Sequence, residues 1–341
     1  MPDLPPMISS KALGLMPQFA LEVGGDKALG RALADAGLPH KFIEQRDGYI
    51  PESALASFVQ SVGRQIGQPG LGLLWSPYLT VADYGAWGDY VLSAPSLGQA
   101  LQRGQNMMPL HSSVDRIEHF VLGASGWYGY RFGLRSHPAY PDIAYSAIGV
   151  ILSVFRHFLG SLWRPKLVCF DFKHEPIDHL ADELLSCPIQ WNAERLGVWY
   201  DARIRSCSAS GPCSKRRVTV EDVIRERAGG PPRDFSEQVR SVLLLQIGQS
   251  GDKLDNVALT LDMGPRSIQR RLSDENTSFR EISNSARMQR AQELLRLGQD
   301  SITSIANFLG YDHSNNFSRA FKMQFGITPR DYQKSLRPAQ T

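Results

Sequence analysis

Cysteine is scarce in this chain: four in 341 residues, at Cys169, Cys187, Cys207 and Cys213. No two form a C-x-x-C pair, and their spacings match no zinc framework. Neither a disulfide-stapled secreted scaffold nor a structural zinc fold is expected. An excess of one charge is also missing, because 37 Lys and Arg face 34 Asp and Glu for a net +3. That excludes a histone-like blanket of positive charge, so any nucleic-acid site must come from local placement. Long hydrophobic runs are absent too. The longest, Ile143 to Phe155, closes at Arg156 after thirteen residues, short of the roughly 20 that a membrane helix needs. It reads as a buried core helix. The opening Met1-Pro-Asp-Leu-Pro-Pro6 has no basic stretch before an apolar one, so no signal peptide is expected. A soluble, cytoplasmic protein without a membrane partner follows as the expectation.

Catalytic spacings are missing as well. His174-Glu175-Pro176-Ile177-Asp178-His179 fails as H-E-x-x-H, because Asp178 stands where the second His belongs and Pro176 breaks the required helix. Gly25-Asp-Lys-Ala-Leu-Gly30-Arg31 echoes a phosphate loop but lacks its Lys-Ser/Thr pair, and reads as a turn before a helix. No Ser/His/Asp or paired-carboxylate arrangement is arguable from spacing. The expectation is therefore no catalytic residue, no metal and no cofactor.

What is present is an ordinary globular composition, 42% hydrophobic and 21% charged, at a length that favours two domains. Residues 14–108 read as mainly helical. Leu55, Phe58, Val59, Val62 and Ile66 follow Pro51-Glu52-Ser53 at helical spacing, and Ser96-Leu-Gly-Gln99 is a capping-box pattern. Gly70 to Gly88 reads as irregular. Strand patterns then begin: Val114 to Val121, a Gly123–Gly126 turn, and Trp127 to Arg135. In that second run Tyr128, Tyr130, Phe132 and Leu134 share a face opposite Arg131 and Arg135. A helix over 142–163 follows, with a stripe from Ile143 to Leu162. Lys166–Lys173 and Leu196–Asp201 read as further strands, with a short helix after Pro176. The expected fold class is an α+β N-terminal domain, mixed sheet with a long packing helix, followed by an all-α C-terminal domain. The boundaries read as 1–205, a linker over 206–232, and 233–341. The linker carries Ser-Cys-Ser-Ala-Ser-Gly-Pro-Cys-Ser, the basic Lys215-Arg216-Arg217, and Gly229-Gly230-Pro231-Pro232, with Thr219-Val-Glu-Asp222 capping a short helix inside it.

The C-terminal part holds a weak internal repeat. Leu254–Leu272 and Ile302–Phe321 each show a helix with a central Ala (Ala258, Ala306), a turn four residues on, and a second helix bearing outward Arg. Gly310 suits a left-handed helix end. This is helix-turn-helix logic, in which the second helix enters a DNA major groove. Residues 264–272 carry Arg266, Arg270 and Arg271 without an acid, and 315–325 carry Arg319 and Lys322 without an acid. Gln269, Asn315 and Asn316 add amides suited to base edges. Over 234–341 the balance is only 14 basic to 12 acidic. Two local basic helices fit groove reading better than indiscriminate phosphate binding.

The run Gly310-Tyr-Asp-His-Ser-Asn-Asn-Phe-Ser-Arg-Ala-Phe-Lys-Met-Gln-Phe-Gly-Ile-Thr-Pro-Arg-Asp-Tyr332 resembles the AraC/XylS family of bacterial transcription regulators. Arg287-Met-Gln-Arg-Ala-Gln-Glu-Leu-Leu295 resembles that family's central linking helix. The resemblance covers about 100 residues. It implies double-stranded DNA as partner and places base-reading positions on Arg266, Gln269 and Arg270, and on Ser314, Asn315, Ser318 and Arg319. Asp262 stands where the family usually has Gly, Gly264 where it has a capping Ser, and His313 at a common capping position. The N-terminal half is similar to the "arabinose-binding" type of effector domain, through Gly70-Leu-Gly72-Leu, Ser96-Leu-Gly-Gln-Ala-Leu101 and the strand–long helix–strand run. That similarity implies an unidentified small-molecule effector and a homodimer, and the family implies RNA polymerase as a further partner and a lean to activation. Tyr128, Tyr130 and Phe132 suit either an effector pocket or plain core. Control by a partner protein, or by oxidation of Cys207 and Cys213, stays open, as does an enzyme fused to a DNA-binding tail.

Overall fold

The computed structural model describes residues 4–43, 46–68, 70–174, 179–209, 218–248 and 253–336. Cys213, the basic run 215–217 and residues 175–178 lie outside these. The chain divides into two units: one runs to Ala36 and resumes over Lys41–Pro232, and the other comprises Gly37–His40 and the chain from Arg233 onward.

The first unit opens with β1 (Met7–Ser9), whose three buried residues pair antiparallel with β2 (Tyr49–Pro51). Between them runs α1 (Met16–Asp35), broken at Gly25, where φ is 73°. The turn expected before a helix at 25–31 is this break, where two helical stretches meet at Gly25, because Gly alone takes that backbone without strain. Next come α2 (Glu52–Ile66), α3 (Leu71–Trp75), α4 (Ala86–Leu92) and α5 (Leu97–Met107). The stretch 70–88, expected to be irregular, is built of short helical turns. Ser96 caps α5 by accepting from the Gln99 amide at 3.4 Å.

The hairpin follows as β3 (Arg116–Leu122) and β4 (Ser125–Arg131). Then come α6 (Tyr140–Leu159), β5 (Leu167–Cys169), α7 (His179–Leu185), β6 (Ile189–Gln190), β7 (Gly197–Asp201) and α8 (Val220–Glu226). The sheet order is β3-β4-β7-β5-β6, antiparallel except for the β5–β6 pair. Register puts Ile117, His119, Tyr128, Tyr130, Val198 and Tyr200 on the face toward α6, where Phe155 meets Tyr128 and Tyr200 at ring distances of 6.2 and 5.1 Å. Twelve residues of α6 are buried, so its apolar length serves this core. The expected stripe to Leu162 stops short. Gly160 turns to φ 89° after Leu159, and Leu162 stands 87% exposed. The strand expected over 166–173 is only three residues. Thr219 and Asp222 form a reciprocal capping box on α8.

The second unit is helical throughout its described residues: α9 (Phe235–Gln246), α10 (Leu254–Thr260), α11 (Pro265–Asp274), α12 (Phe279–Leu297), α13 (Ile302–Phe308), α14 (Ser314–Phe325) and α15 (Pro329–Ser335). One core joins them, with Val242, Leu243, Ala258, Ile268, Leu272, Ala286, Leu295, Ala306, Phe317 and Phe321. Its sequence repeat is a repeat in space. In the first turn the Met263 amide donates to the Ala258 carbonyl and the Asp262 amide to Leu259; in the second, Tyr311 donates to Ala306 and Gly310 to Asn307. The left-handed residue is Gly310 (φ 78°) in one and Asp262 (φ 52°) in the other. Gly264 and His313 sit at the N-caps of α11 and α14, and neither makes a side-chain cap. His313 thus holds the capping position expected of it without a side-chain bond, and α11 has Pro265 in its first turn. Downstream, Gly326 closes α14 left-handed and Thr328 caps α15 by accepting from Asp331 at 3.2 Å. A full capping box, Ser278 with Glu281, starts α12.

Candidate nucleic-acid interface and internal cavity

On α11 the apolar anchors recur four residues apart: Ile268 and Leu272 are fully buried. That spacing turns Arg266, Gln269 and Arg270 to the opposite side, where all three are exposed. On α14 the anchors are Phe317 and Phe321, fully buried and stacked edge-on at 5.8 Å. Asn315 and Arg319 are exposed on the far side, with Ser314 and Ser318 half-buried beside them. The structure therefore brings the expected positions into two equivalent sets, Arg266, Gln269, Arg270 and Asn315, Ser318, Arg319, with Ser314 leading the second. Among the described residues, Arg266, Arg270 and Arg319 enter no ion pair. A guanidinium held on a rigid helix without an acidic partner keeps its fork of donors for phosphate or guanine. Arg271, counted in the same basic run, lies over the Phe235 ring at 5.3 Å.

The first unit contains a cavity of about 80 Å³. Its wall draws on Ile8 and Ala12 near the N-terminus, Met16 of α1, Leu55 of α2, Trp87 and Val91 of α4, Ile117, Tyr128 and Tyr130 of the hairpin, and the face of α6 from Ile143 to Val154. Tyr128, Tyr130 and Phe132 all lie on this wall. Arg131 is exposed, while Arg135 reaches Asp171 at 2.6 Å. Sequence reasoning did not single out His111, which lies on the wall at 3% exposure. Its ring stacks on Tyr84 at 5.1 Å and packs against Trp87 at 5.3 Å. Burial, then the Arg227 charge, holds this imidazole well below its usual pKa, so it is neutral. No pattern in Leu110-His111-Ser112-Ser113 marked it, because the aromatic walls arrive from distant segments.

Behind Tyr130 lies a buried acid pair. Tyr130 donates its hydroxyl to Asp115, the Gly133 amide donates to Asp115 at 2.8 Å, and Ser112 donates to Glu52 at 2.9 Å. Both carboxyls are fully buried. Burial, then the Asp115 charge, pushes Glu52 up to about 9, and burial pushes Asp115 up to about 6. At neutral pH Glu52 holds its proton. Burial likewise raises the Tyr128 and Tyr130 phenols, so both stay neutral.

Residues 28–208 match the family described as the arabinose-binding domain of AraC transcription regulator, N-terminal, and residues 257–335 match a helix-turn-helix domain. The chain is 25% identical over 288 residues to an ornithine utilization regulator of Pseudomonas aeruginosa, covering 79% of this chain and 80% of that one. It is 24% identical over 310 residues to the HTH-type transcriptional regulator VirS of Mycobacterium tuberculosis, covering 87% and 88%. Among solved structures, the transcriptional regulator CdpR of Pseudomonas aeruginosa aligns with a TM-score of 0.41 at 20% identity, over 90% of this chain and 97% of that one.

Proposed function

We propose, given that the chain belongs to the AraC family of transcription regulators, that it is a ligand-responsive activator. It is a DNA-binding transcription regulator, and its fold is the α+β unit with mixed sheet followed by the helical helix-turn-helix unit. The observation that carries the reading is the equivalence of α11 and α14. Each turns buried anchors inward and unpaired Arg outward after the same hydrogen-bonded turn. In this reading Arg266, Gln269 and Arg270 read one major-groove segment, and Ser314, Asn315, Ser318 and Arg319 read the next, about 34 Å along the duplex. The cavity takes a small-molecule effector, and its occupancy is passed to the DNA-binding unit through residues 206–232. The regulator acts in the cytoplasm as a homodimer that engages RNA polymerase, and it carries no catalytic activity. Footprinting the purified protein on genomic fragments at near-physiological salt tests this. The expected result is protection of two adjacent major-groove segments, altered by cognate effector. Diffuse, salt-sensitive protection with no discrete site would sink it.

A further inference from the structure

The cavity wall is poor in charge and rich in apolar surface. None of its twenty lining residues is Asp, Glu, Lys or Arg. Most of its polar groups are already engaged within the protein. Tyr130 donates to Asp115, the Trp87 indole donates to the Met107 carbonyl at 3.0 Å, and Ser146 donates to the Asp142 carbonyl at 2.7 Å while accepting from Trp75. Two polar side chains are left over, the His111 imidazole and the Tyr128 phenol. Among the described residues His111 Nδ1 has no hydrogen-bond partner, although the residue is almost wholly buried. The Tyr128 hydroxyl makes no hydrogen bond among the described residues. Both side chains are neutral at physiological pH. Arg227, whose charge bears on His111, is not part of the wall and donates to the Tyr84 carbonyl at 2.7 Å.

A buried polar group without a partner costs free energy, so an imidazole in the cavity wall that no protein group satisfies marks the place of a ligand's polar group. A charged ligand here would be desolvated against an apolar wall with no counter-ion, which is strongly unfavourable. From these two facts we infer that the effector is a neutral, mainly hydrocarbon molecule carrying a hydroxyl or carbonyl oxygen. Its chain lies along the apolar face of α6, and its oxygen meets His111, with Tyr128 as the second neutral hydrogen-bonding group. The stacked Tyr84 ring and the tilted Trp87 ring hold the imidazole in place. This rests on the reading of the first unit as an effector sensor, and narrows it to a ligand class.

The test uses the full chain and a matched eight-carbon set: 1-octanol, n-octane, octylammonium and octanoate. Trp87 lies in the wall, so tryptophan fluorescence reports binding, and the unfolding temperature gives a second readout. Saturable binding of 1-octanol is expected, with both ions bound at least tenfold more weakly. His111→Phe should weaken 1-octanol several-fold and leave n-octane unchanged, which a merely structural role would not produce. Ala147→Trp should abolish binding of both neutral probes by filling the cavity, and Ala147→Leu is the gentler version should the larger side chain prevent folding. Binding of octanoate or octylammonium as tight as that of 1-octanol overturns the neutral class while the sensor reading stands. Failure of all four probes to bind also overturns it. If Ala147→Leu then leaves regulation in cells untouched, the sensor reading falls with it.

Discussion

Glu52 occupies a position where an acid is ordinarily at ease, the first turn of a helix, yet its side chain is fully buried beside Asp115. The helix terminus favours the carboxylate, while burial favours the acid, and burial wins by pushing the group up to about 9. The consequence for stability has a definite sign. A carboxyl whose pKa is higher folded than unfolded stabilises the fold in its protonated form. That contribution is complete below the ordinary value of 4.5 and is lost as pH rises toward about 9. His111 acts oppositely: its lowered pKa costs stability only below its ordinary 6.5. Asp115 has finished most of its change by about 6. From pH 7 to 9 the largest change is therefore that of Glu52, with the buried Cys169 and Cys187 thiols, raised from 9 to about 11, adding theirs only as pH reaches 9. The unfolding temperature of the first unit should fall by about 4 °C or more across that interval, the equivalent of 1–2 kcal/mol for a domain this size. In Glu52→Gln, which mimics the protonated acid, the slope should flatten, as seen by calorimetry at several pH values. Equal slopes in both proteins would mean that Glu52 is ionised in the fold.

The two helix-turn-helix elements share a backbone but not the residue at its left-handed position. Gly310 carries φ 78° without a Cβ, whereas Asp262 carries φ 52° with one. A non-glycine residue there costs roughly 1–2 kcal/mol, less for Asp. Part of that is offset by the greater freedom of Gly in the unfolded chain. Gly310→Ala should destabilise the second unit by about 1 kcal/mol, and Asp262→Gly should stabilise it by up to about 1 kcal/mol. Chemical denaturation of both variants checks this. A loss of stability in Asp262→Gly would show that the Asp262 side chain contributes something the strain argument omits. The same comparison explains why the unusual residue at Asp262 did not prevent the first element from forming. The turn's hydrogen bonds from Met263 to Ala258 and from Asp262 to Leu259 are backbone bonds, and the anchors Ile268 and Leu272 hold α11 in the shared core.

At the scale of the molecule, a balanced charge of +3 cannot drive tight non-specific association with DNA. Affinity has to come from geometry at two places, so the two arginine sets should separate in a footprint. Arg319→Ala should cost about 1–3 kcal/mol on the preferred site and much less on scrambled DNA, with protection lost from one segment. Arg266→Ala should clear the other segment, one helical turn away. An equal loss on scrambled DNA would make either residue a phosphate contact, and an unchanged footprint in Arg266→Ala would make the first element structural.

How much of this was legible in the chain varies with the range of the interactions involved. The helix-turn-helix repeat was legible because its signals are local. Ala258 and Ala306, Gly310, Gly326, and the Thr328-Pro329-Asp331 start each act within a few residues of themselves, and the buried anchors recur at helical spacing. The β3–β4 hairpin and α6 were legible for the same reason, through periods of two and of 3.6. Their ends were less so, since the stop at Gly160 competes with an apolar run that continues to Leu162. The cavity and the acid pair were not legible. Ile8, Leu55, Trp87, His111, Tyr128 and Val154 share one wall, and Glu52 meets Asp115, only because β1 pairs with β2 and α6 packs on the sheet. Tyr128, Tyr130 and Phe132 were identified as facing inward, but an inward face is the same pattern whether it meets another side chain or a void. Local hydrogen bonding and periodicity are written residue by residue. A cavity is what remains when distant side chains fail to fill the space between their backbones, and that volume exists only after the chain has folded around it.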